Sequence, residues 1–299
     1  MTAINGTTRL AGVVGWPLDH TLSPAMHNAV YQELGLDWVY VPLAVSDEVG
    51  LRRLIAAVRS LPFVGLNVTM PYKSAVLELC DEVATAASMA GAVNTVHVAA
   101  DGRLIGYNTD GRGMLESLAV DVNFDPAGKR VALVGAGGAA AAAFVALILA
   151  KTGAITVVNR SLERAEELLD RMAPRAAGIS LQATRIQDAE ETVRTADLVI
   201  NSTPVGMRPD SGSPLPVEWL REGQVVLDMV YGTPAPTELV AGARAAGATA
   251  LDGLGMLVAQ GATAIDIWNA DAELRTPRDL MRRAALEQLA ARRGVEVDG

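Results

Sequence analysis

The chain is short of cysteine, of aromatic residues and of positive charge. One cysteine in 299 residues, Cys80, excludes an intramolecular disulfide and any cysteine-based metal cluster. It falls on an expected helix and reads as a buried, inert thiol. The three histidines, His20, His27 and His97, are scattered without metal-ligand spacing, so no metal site is expected. His27 reads as a helix residue packed beside a pocket. Aromatic residues make up only 4% of a chain that is 50% hydrophobic, so the core has to be built from Ala, Val and Leu. Acidic residues outnumber basic ones by 34 to 25, for a net charge of −9. That excess argues against nucleic acid or anionic membranes as partners. An anionic small molecule would need a local cationic or hydroxyl-lined pocket. The longest apolar stretch, Ala139 to Ala150, is too short to span a bilayer. The opening MTAINGTTRL lacks the charged and apolar regions of a signal peptide, so a cytoplasmic chain is expected. Its length accommodates two domains.

What the sequence does contain is concentrated between Val131 and Arg164, VALVGAGGAAAAAFVALILAKTGAITVVNRSLER. An apolar run ends in Gly135-Ala136-Gly137-Gly138-Ala139-Ala140, a helix-length alanine-rich segment follows, and a second apolar run ends at Asn159-Arg160. This is a βαβ unit with the G-x-G-x-x-G/A dinucleotide signature, Ala140 standing in third place. Gly135 permits the tight turn, Gly137 admits a pyrophosphate to the backbone, and Ala140 lets helix and strand pack closely. The helix N-terminus offers free N–H groups and a positive dipole end, and Gly153 is expected to stop the helix. An NAD site would place a carboxylate at the end of the second strand for the ribose 2′-hydroxyl. A guanidinium there suits a 2′-phosphate, so the expected cofactor is NADP(H). Arg160 and Arg164 also read as solvated residues opening the next helix, with Ser161 as its N-cap; sequence leaves both readings open.

The first third alternates strand-like and helix-like segments. Leu10 to Val14, Asp37 to Leu43 and Phe63 to Thr69 read as strands. Ser23-Pro24 is expected to cap and start a helix to about Leu34, Ser46-Asp47-Glu48 another toward Ser60, and Pro71 a third. Ala92 to Val98 and Arg103 to Tyr107 flank Asp101-Gly102 as a hairpin. After Thr109-Asp110 a helix should lead to the dinucleotide unit, whose later strands lie at Leu198–Ile200 and Val225–Asp228. The segment from Leu254 to Arg293 is helical in pattern.

Asn67-Val-Thr-Met-Pro-Tyr-Lys73 sets polar groups just past a strand end, where chemistry sits in open α/β sheets. Asn108-Thr-Asp110 closes the hairpin, and Asn94 is expected within its first strand. Hydride transfer between NADPH and a carbinol carbon needs a proton carrier at the oxygen. A lysine of tuned pKa serves, with a carboxylate to orient it. Taken singly, Lys73 also reads as a solvated surface group and Asp110 as a helix cap.

These pieces together resemble the shikimate dehydrogenase family over nearly the whole chain. The motifs fall in the family's order: G-x-P-x-x-H-[ST]-x-S-P-x-x-H-N from Gly15 to Asn28, N-V-T-x-P-[YF]-K at 67–73, G-A-V-N-T at 91–95 and N-T-D at 108–110. G-A-G-G-A at 135–139, N-R-S-x-x-R at 159–164 and D-G-L-G-M-L-V-A-Q at 252–260 follow. The resemblance implies NADP-dependent reduction of 3-dehydroshikimate to shikimate, a step toward chorismate and the aromatic amino acids. It implies Lys73 and Asp110 as the catalytic pair, with lysine the proton donor to the ketone oxygen. Thr21 and Ser23 match the hydroxyls that hold the substrate carboxylate, with Tyr231 beside it, and Asn67, Thr69, Asn94 and Gln260 match residues that bind the ring hydroxyls. Asn159, Arg160, Ser161 and Arg164 match the 2′-phosphate site, while Gly253 and Met256 line the nicotinamide pocket and Thr203 joins the cofactor residues. Many members carry serine where this chain has Thr21. The extra methyl narrows the pocket and leaves shikimate against quinate or aminoshikimate open.

The resulting expectation is an α/β chain with an N-terminal α/β substrate domain of mixed sheet, a Rossmann-like NADP-binding domain, and a cleft between them. The first domain is expected over 1–112, with helices from 254–299 packing back on it, and the second over 113–253. The expected partner is the small substrate alone, on a monomer or homodimer. Competing readings are a quinate/shikimate dehydrogenase with NAD preference, a catalytically silent NADP-binding regulator, and a folate-linked dehydrogenase of related architecture.

Overall fold

Strands buried along their whole length admit no solvated face and need cover on both sides of the sheet, and each half of this chain contains such strands. The computed structural model describes residues 4–208, 210–269 and 275–297. The chain divides into two compact units, Met1–Thr109 with Val258–Gly299, and Asp110–Leu257. Parts of the expected helical segment, 270–274 and 298–299, lie outside the described residues.

The first unit runs β1 (Arg9–Gly15), α1 (Ser23–Glu33), β2 (Trp38–Ala44), α2 (Glu48–Val58), β3 (Phe63–Val68), α3 (Lys73–Leu77), β4 (Glu82–Val83), α4 (Thr85–Ala90), β5 (Thr95–Val98) and β6 (Leu104–Tyr107). Its sheet has the order β2-β1-β3-β5-β6-β4. β1 is parallel to β2 and β3, whereas β5 is antiparallel to β3 and β6, making the sheet mixed. Every residue of β3 is buried. Asp47 caps α2, its Oδ1 accepting from Gly50 N at 2.7 Å, and Leu51, Ile55 and Val58 bury one face at helical spacing. The hairpin turns over Asp101-Gly102, with Gly102 at φ +82°.

The second unit runs α5 (Asp110–Val122), β7 (Arg130–Val134), α6 (Gly138–Leu149), β8 (Ala154–Asn159), α7 (Leu162–Met172), β9 (Ser180–Arg185), α8 (Glu190–Thr195), β10 (Leu198–Asn201), β11 (Val225–Asp228), α9 (Glu238–Ala245) and β12 (Thr249–Leu251). Its sheet is parallel throughout, in the order β12-β11-β10-β7-β8-β9. That is the Rossmann order, whose direction reverses between β7 and β10. Small alanines along α6, buried from Ala140 to Leu147, let α5 pack closely on that helix, where a Cβ on Gly111 would lie 2.5 Å from Ala142 O. α10 (Leu254–Trp268) carries the chain back to the first unit, where α11 (Arg278–Val297) packs on α1.

Local expectations shift at several places. Leu22, not Ser23, is the N-cap of α1, and Ser23 is already helical. Its N–H is met by Thr21 Oγ1 at 3.3 Å, so the neighbouring threonine supplies the hydroxyl expected of the serine. Pro71 precedes α3, which begins at Lys73, and Asn94 stands one residue before β5. α6 ends before Gly153; Lys151 takes the left-handed conformation, φ +57°, that the glycine was expected to provide. Cys80 follows α3 rather than lying on it, and burial pushes its thiol up to about 11, the inert side for a nucleophile. The short or solvent-facing strands β4, β9 and β12 lack an apolar run and gave no sequence signal.

The core of the first unit is pinned by aromatic rings. His27 is fully buried and stacks on Tyr40 at 4.1 Å, with Trp268 of α10 5.7 Å away and its Nδ1 3.3 Å from the Tyr31 hydroxyl. Trp268 Nε1 donates to Val96 O at 2.9 Å, and Gly65 makes room: a Cβ there would run into that indole nitrogen. Burial pushes His27 down from 6.5 to about 3, so the folded chain holds it neutral. The unfolded chain takes up that proton below pH 6.5, so stability falls as pH drops from 6.5 toward 3. The loss approaches about 1.4 kcal/mol per pH unit once the unfolded histidine is charged. Urea unfolding at pH 7 and pH 5 should show His27→Leu losing about 2 kcal/mol less on acidification than the wild-type chain. Equal losses in the two chains would contradict a neutral buried His27.

Candidate functional site

Strand ends decide where polar side chains collect, because a carbonyl or amide there escapes the ladder while neighbouring strands hold it in place. In the first unit the ends of β3 and the start of β5 bring two buried asparagines together, Asn67 and Asn94. Tyr40 OH donates to Asn67 Oδ1 at 2.8 Å, which fixes the amide with Nδ2 toward Thr95 Oγ1 at 3.1 Å. Thr95 Oγ1 donates to Asn94 Oδ1 at 3.0 Å, and Thr109 N donates to the same oxygen at 2.8 Å. Asn94 Nδ2 in turn reaches Thr109 Oγ1 at 3.0 Å and Gln260 Oε1 of α10 at 3.3 Å. A single hydrogen-bonded chain of neutral groups thus joins β2, β3, β5, the segment after β6, and α10. Lys73 is tied to it through the backbone, since Val93 N donates to Lys73 O at 2.8 Å. Thr69 follows β3 and is half-buried. Thr21 and Ser23 stand together at the start of α1, and the Ser23 hydroxyl has no hydrogen-bond partner among the described residues.

Asp110, the first residue of α5, and Tyr231, just past β11, belong to the second unit. There the signature glycines behave as their positions require. Gly135 sits at φ +111°, and a Cβ on it would lie 2.6 Å from Ser202 Oγ. Gly137 and Gly138 are exposed, and a Cβ built on Gly137 meets nothing within 4 Å. α6 begins with no side-chain cap, so its first N–H groups face outward unclaimed by one. Asn159 Nδ2 donates to Ser161 O at 2.8 Å, and Ser161 caps α7 by accepting from Arg164 N at 3.3 Å. The Ser161 hydroxyl donates to Glu163 Oε2 at 2.7 Å, which holds that carboxyl below the usual range. Arg160 and Arg164 are exposed and form no ion pair among the described residues.

A buried carboxylate organises the loops beyond β10 and β11. Asp228 Oδ1 accepts from Asn201 Nδ2 at 2.8 Å and from Val230 N at 3.0 Å, and Oδ2 accepts from Thr237 Oγ1 at 2.6 Å. Asn201 Oδ1 then accepts from Thr203 N at 2.9 Å and Thr203 Oγ1 at 2.7 Å. Burial pushes Asp228 up from its ordinary value, against the pull of these three donors. Val230 O accepts from Gly253 N at 3.0 Å, so Thr203 and Gly253 hang from one network; Met256 follows on α10. Sequence reading did not single out Tyr40, Thr95, Thr109, Asn201, Asp228 or Thr237. Thr95 and Thr109 lie inside the 91–95 and 108–110 motifs and Asp228 closes the apolar run Val225–Asp228, whereas Tyr40, Asn201 and Thr237 carry no local pattern.

No cluster of three or more His, Cys, Asp or Glu suited to a metal occurs among the described residues, and no described helix is long and apolar enough to cross a membrane.

A dinucleotide-type glycine turn on the parallel Rossmann sheet of the second unit, in a chain whose first unit gathers amides, hydroxyls and a lysine at its strand ends, defines a two-domain α/β oxidoreductase using a nicotinamide cofactor. Residues 13–96 match the family model for the shikimate dehydrogenase substrate binding domain, and residues 117–206 that for shikimate/quinate 5-dehydrogenase. The NADP(+) shikimate dehydrogenase of Methanopyrus kandleri is 43% identical over 298 residues, covering 96% of this chain and 98% of the relative. A crystal structure of a shikimate dehydrogenase in complex with NADP+ aligns with TM-score 0.86 at 35% identity, covering 96% of this chain and 98% of that one. A quinate dehydrogenase from Corynebacterium glutamicum in complex with NAD aligns with TM-score 0.82 at 35% identity, covering 94% and 99%. The chain belongs to the shikimate dehydrogenase family.

Removing the Asp228 carboxylate leaves three buried donors without an acceptor. Asp228→Ala should cost about 3 kcal/mol, read as a lowered urea midpoint at pH 7. A loss below about 1 kcal/mol would show that the carboxylate is not the hub of these loops.

Proposed function

We propose that the protein catalyses the reversible, NADP(H)-dependent reduction of 3-dehydroshikimate to shikimate. The observation that carries this reading is the Val93 N to Lys73 O bond at 2.8 Å, which brings a lysine to a cluster of neutral amides and hydroxyls. Such groups suit a polyhydroxylated ring, and the lysine suits the proton that a ketone oxygen must receive. Bound NADPH supplies the hydride. Lys73 gives its proton to the substrate oxygen in reduction and takes one from the hydroxyl in oxidation, with Asp110 as the carboxylate partner of that transfer. Asn67, Thr69, Asn94 and Gln260 bind ring hydroxyls, and Thr21 and Ser23 bind the carboxylate with Tyr231 beside it.

The cofactor residues fit the dinucleotide. Gly135 to Ala139 form the turn, and the open face at Gly137 with the uncapped α6 N-terminus suits a pyrophosphate. Asn159, Arg160, Ser161 and Arg164 form the 2′-phosphate site, where two exposed guanidiniums favour NADP(H) over NAD. The Ser161–Glu163 bond has to exchange when phosphate binds. Thr203, Gly253 and Met256 belong to the nicotinamide side.

Steady-state kinetics of three chains test the reading. The wild-type chain should oxidise shikimate with NADP+ and use quinate and NAD+ poorly. Lys73→Ala should lower kcat by about three orders of magnitude while NADPH still binds. Arg160→Ala should raise the NADP+ KM by roughly tenfold or more and leave the shikimate KM within twofold. Wild-type-like turnover by Lys73→Ala would sink the catalytic assignment, and equal effects of Arg160→Ala on both KM values would sink the 2′-phosphate site.

A further inference from the structure

The proposed carboxylate-binding hydroxyls, Thr21 and Ser23, carry no charge, and no lysine or arginine stands near them in sequence. The fold supplies one from the far end of the chain. Arg292, in the closing turns of α11, donates from one guanidinium nitrogen to His20 O at 2.9 Å and from the other to Thr21 O at 2.8 Å. Both carbonyls belong to the loop that leads into α1. We propose that Arg292 is the positioning residue of the substrate-carboxylate subsite: its forked guanidinium clamps the His20–Thr21 backbone and sets the Thr21 hydroxyl for the incoming anion. This inference rests on the assignment of Thr21 and Ser23 to the substrate carboxylate.

Three observations support it. The clamp is two-pronged, and a planar guanidinium bonded at two points fixes orientation as well as distance. Thr21 Oγ1 already accepts from Ser23 N at 3.3 Å, so its proton is left to donate outward, and the Ser23 hydroxyl is unclaimed among the described residues. The third is electrostatic. A cation set beside the first turn of α1 adds to the positive end of that helix, which is unfavourable in the empty chain. The first turn of α1 contains no acidic residue to offset it. A bound carboxylate supplies that missing negative charge, so the same guanidinium that orders the loop also favours the ligand, in a chain whose net charge of −9 otherwise repels anions.

Arg292 touches no substrate atom in this scheme, so its loss should weaken binding and spare the chemical step. Kinetics of Arg292→Ala, Arg292→Lys, Thr21→Val and Ser23→Ala, with shikimate and NADP+, make the test, alongside thermal melting of each chain. Arg292→Ala should raise the shikimate KM about tenfold, keep kcat within twofold and leave the NADP+ KM unchanged. Arg292→Lys, which keeps the charge and loses the fork, should fall between the two. A shikimate KM within twofold of wild type in Arg292→Ala overturns the inference. So does a parallel loss of kcat, both KM values and melting temperature, which marks a merely structural residue. If Thr21→Val or Ser23→Ala raises the shikimate KM and Arg292→Ala does not, the inference alone fails. If neither hydroxyl variant moves that KM, the carboxylate assignment beneath it fails as well.

Discussion

Buried amides have to be satisfied, and that constraint shapes the first unit. Asn67 and Asn94 cannot reach bulk water, so each of their polar atoms needs a partner from the protein or a ligand. Tyr40 settles the matter from below. Its hydroxyl donates to Asn67 Oδ1, which fixes which end of the amide faces Thr95 and thereby fixes the next link to Asn94. The order propagates outward to Thr109 and Gln260. Beneath Tyr40, His27 is stacked and held neutral by burial, so the platform is apolar on one side and polar on the other. In the proposed reading, a ring bearing several hydroxyls would meet groups whose orientations are set before it arrives, which lowers the ordering cost of binding.

The second unit solves a similar problem with one carboxylate. Asp228 is buried at the end of β11, and its three donors come from β10, from the residue two places on, and from the N-cap of α9. Through Asn201 it fixes Thr203, and through Val230 it fixes Gly253. Rossmann sheets place ligands beyond the carboxyl ends of their strands at the point where strand order reverses. Here the loops at that point are cross-braced by the protein itself, while the glycine turn at Gly137 is open and the Arg160 and Arg164 guanidiniums form no ion pair among the described residues.

Much of this was legible in the sequence because it is local. The strand–glycine turn–helix–strand signature, the Asn-Arg ending of β8, the hairpin at Asp101-Gly102 and the polar residues after β3 all show in runs of a few residues. What escaped depends on contacts distant in sequence or on a side chain's surroundings. Tyr40 reads as one aromatic in a strand until its hydroxyl meets Asn67. Asp228 reads as the last residue of a strand until three loops converge on it. Arg292 lies 271 residues from Thr21, and no spacing rule connects them. Where the sequence shows only hydroxyls at Thr21 and Ser23, the fold adds a guanidinium on the backbone behind them. Ser23 and Gly153 were misplaced for a simpler reason: neighbouring Thr21 and Lys151 supply the hydroxyl and the left-handed residue that sequence preference assigned to them.

The central claim is that a preset chain of neutral amides and hydroxyls receives the substrate ring while Thr21 and Ser23 receive its carboxylate. A crystal structure of the wild-type chain with shikimate and NADP+ bound tests it most directly. The account predicts ring hydroxyls within hydrogen-bond distance of Asn67, Asn94 and Gln260, the carboxylate on the Thr21 and Ser23 hydroxyls, and the adenosine 2′-phosphate against Arg160. A shikimate carboxylate lodged elsewhere, with Asn67 and Asn94 bonded only to protein, would contradict it.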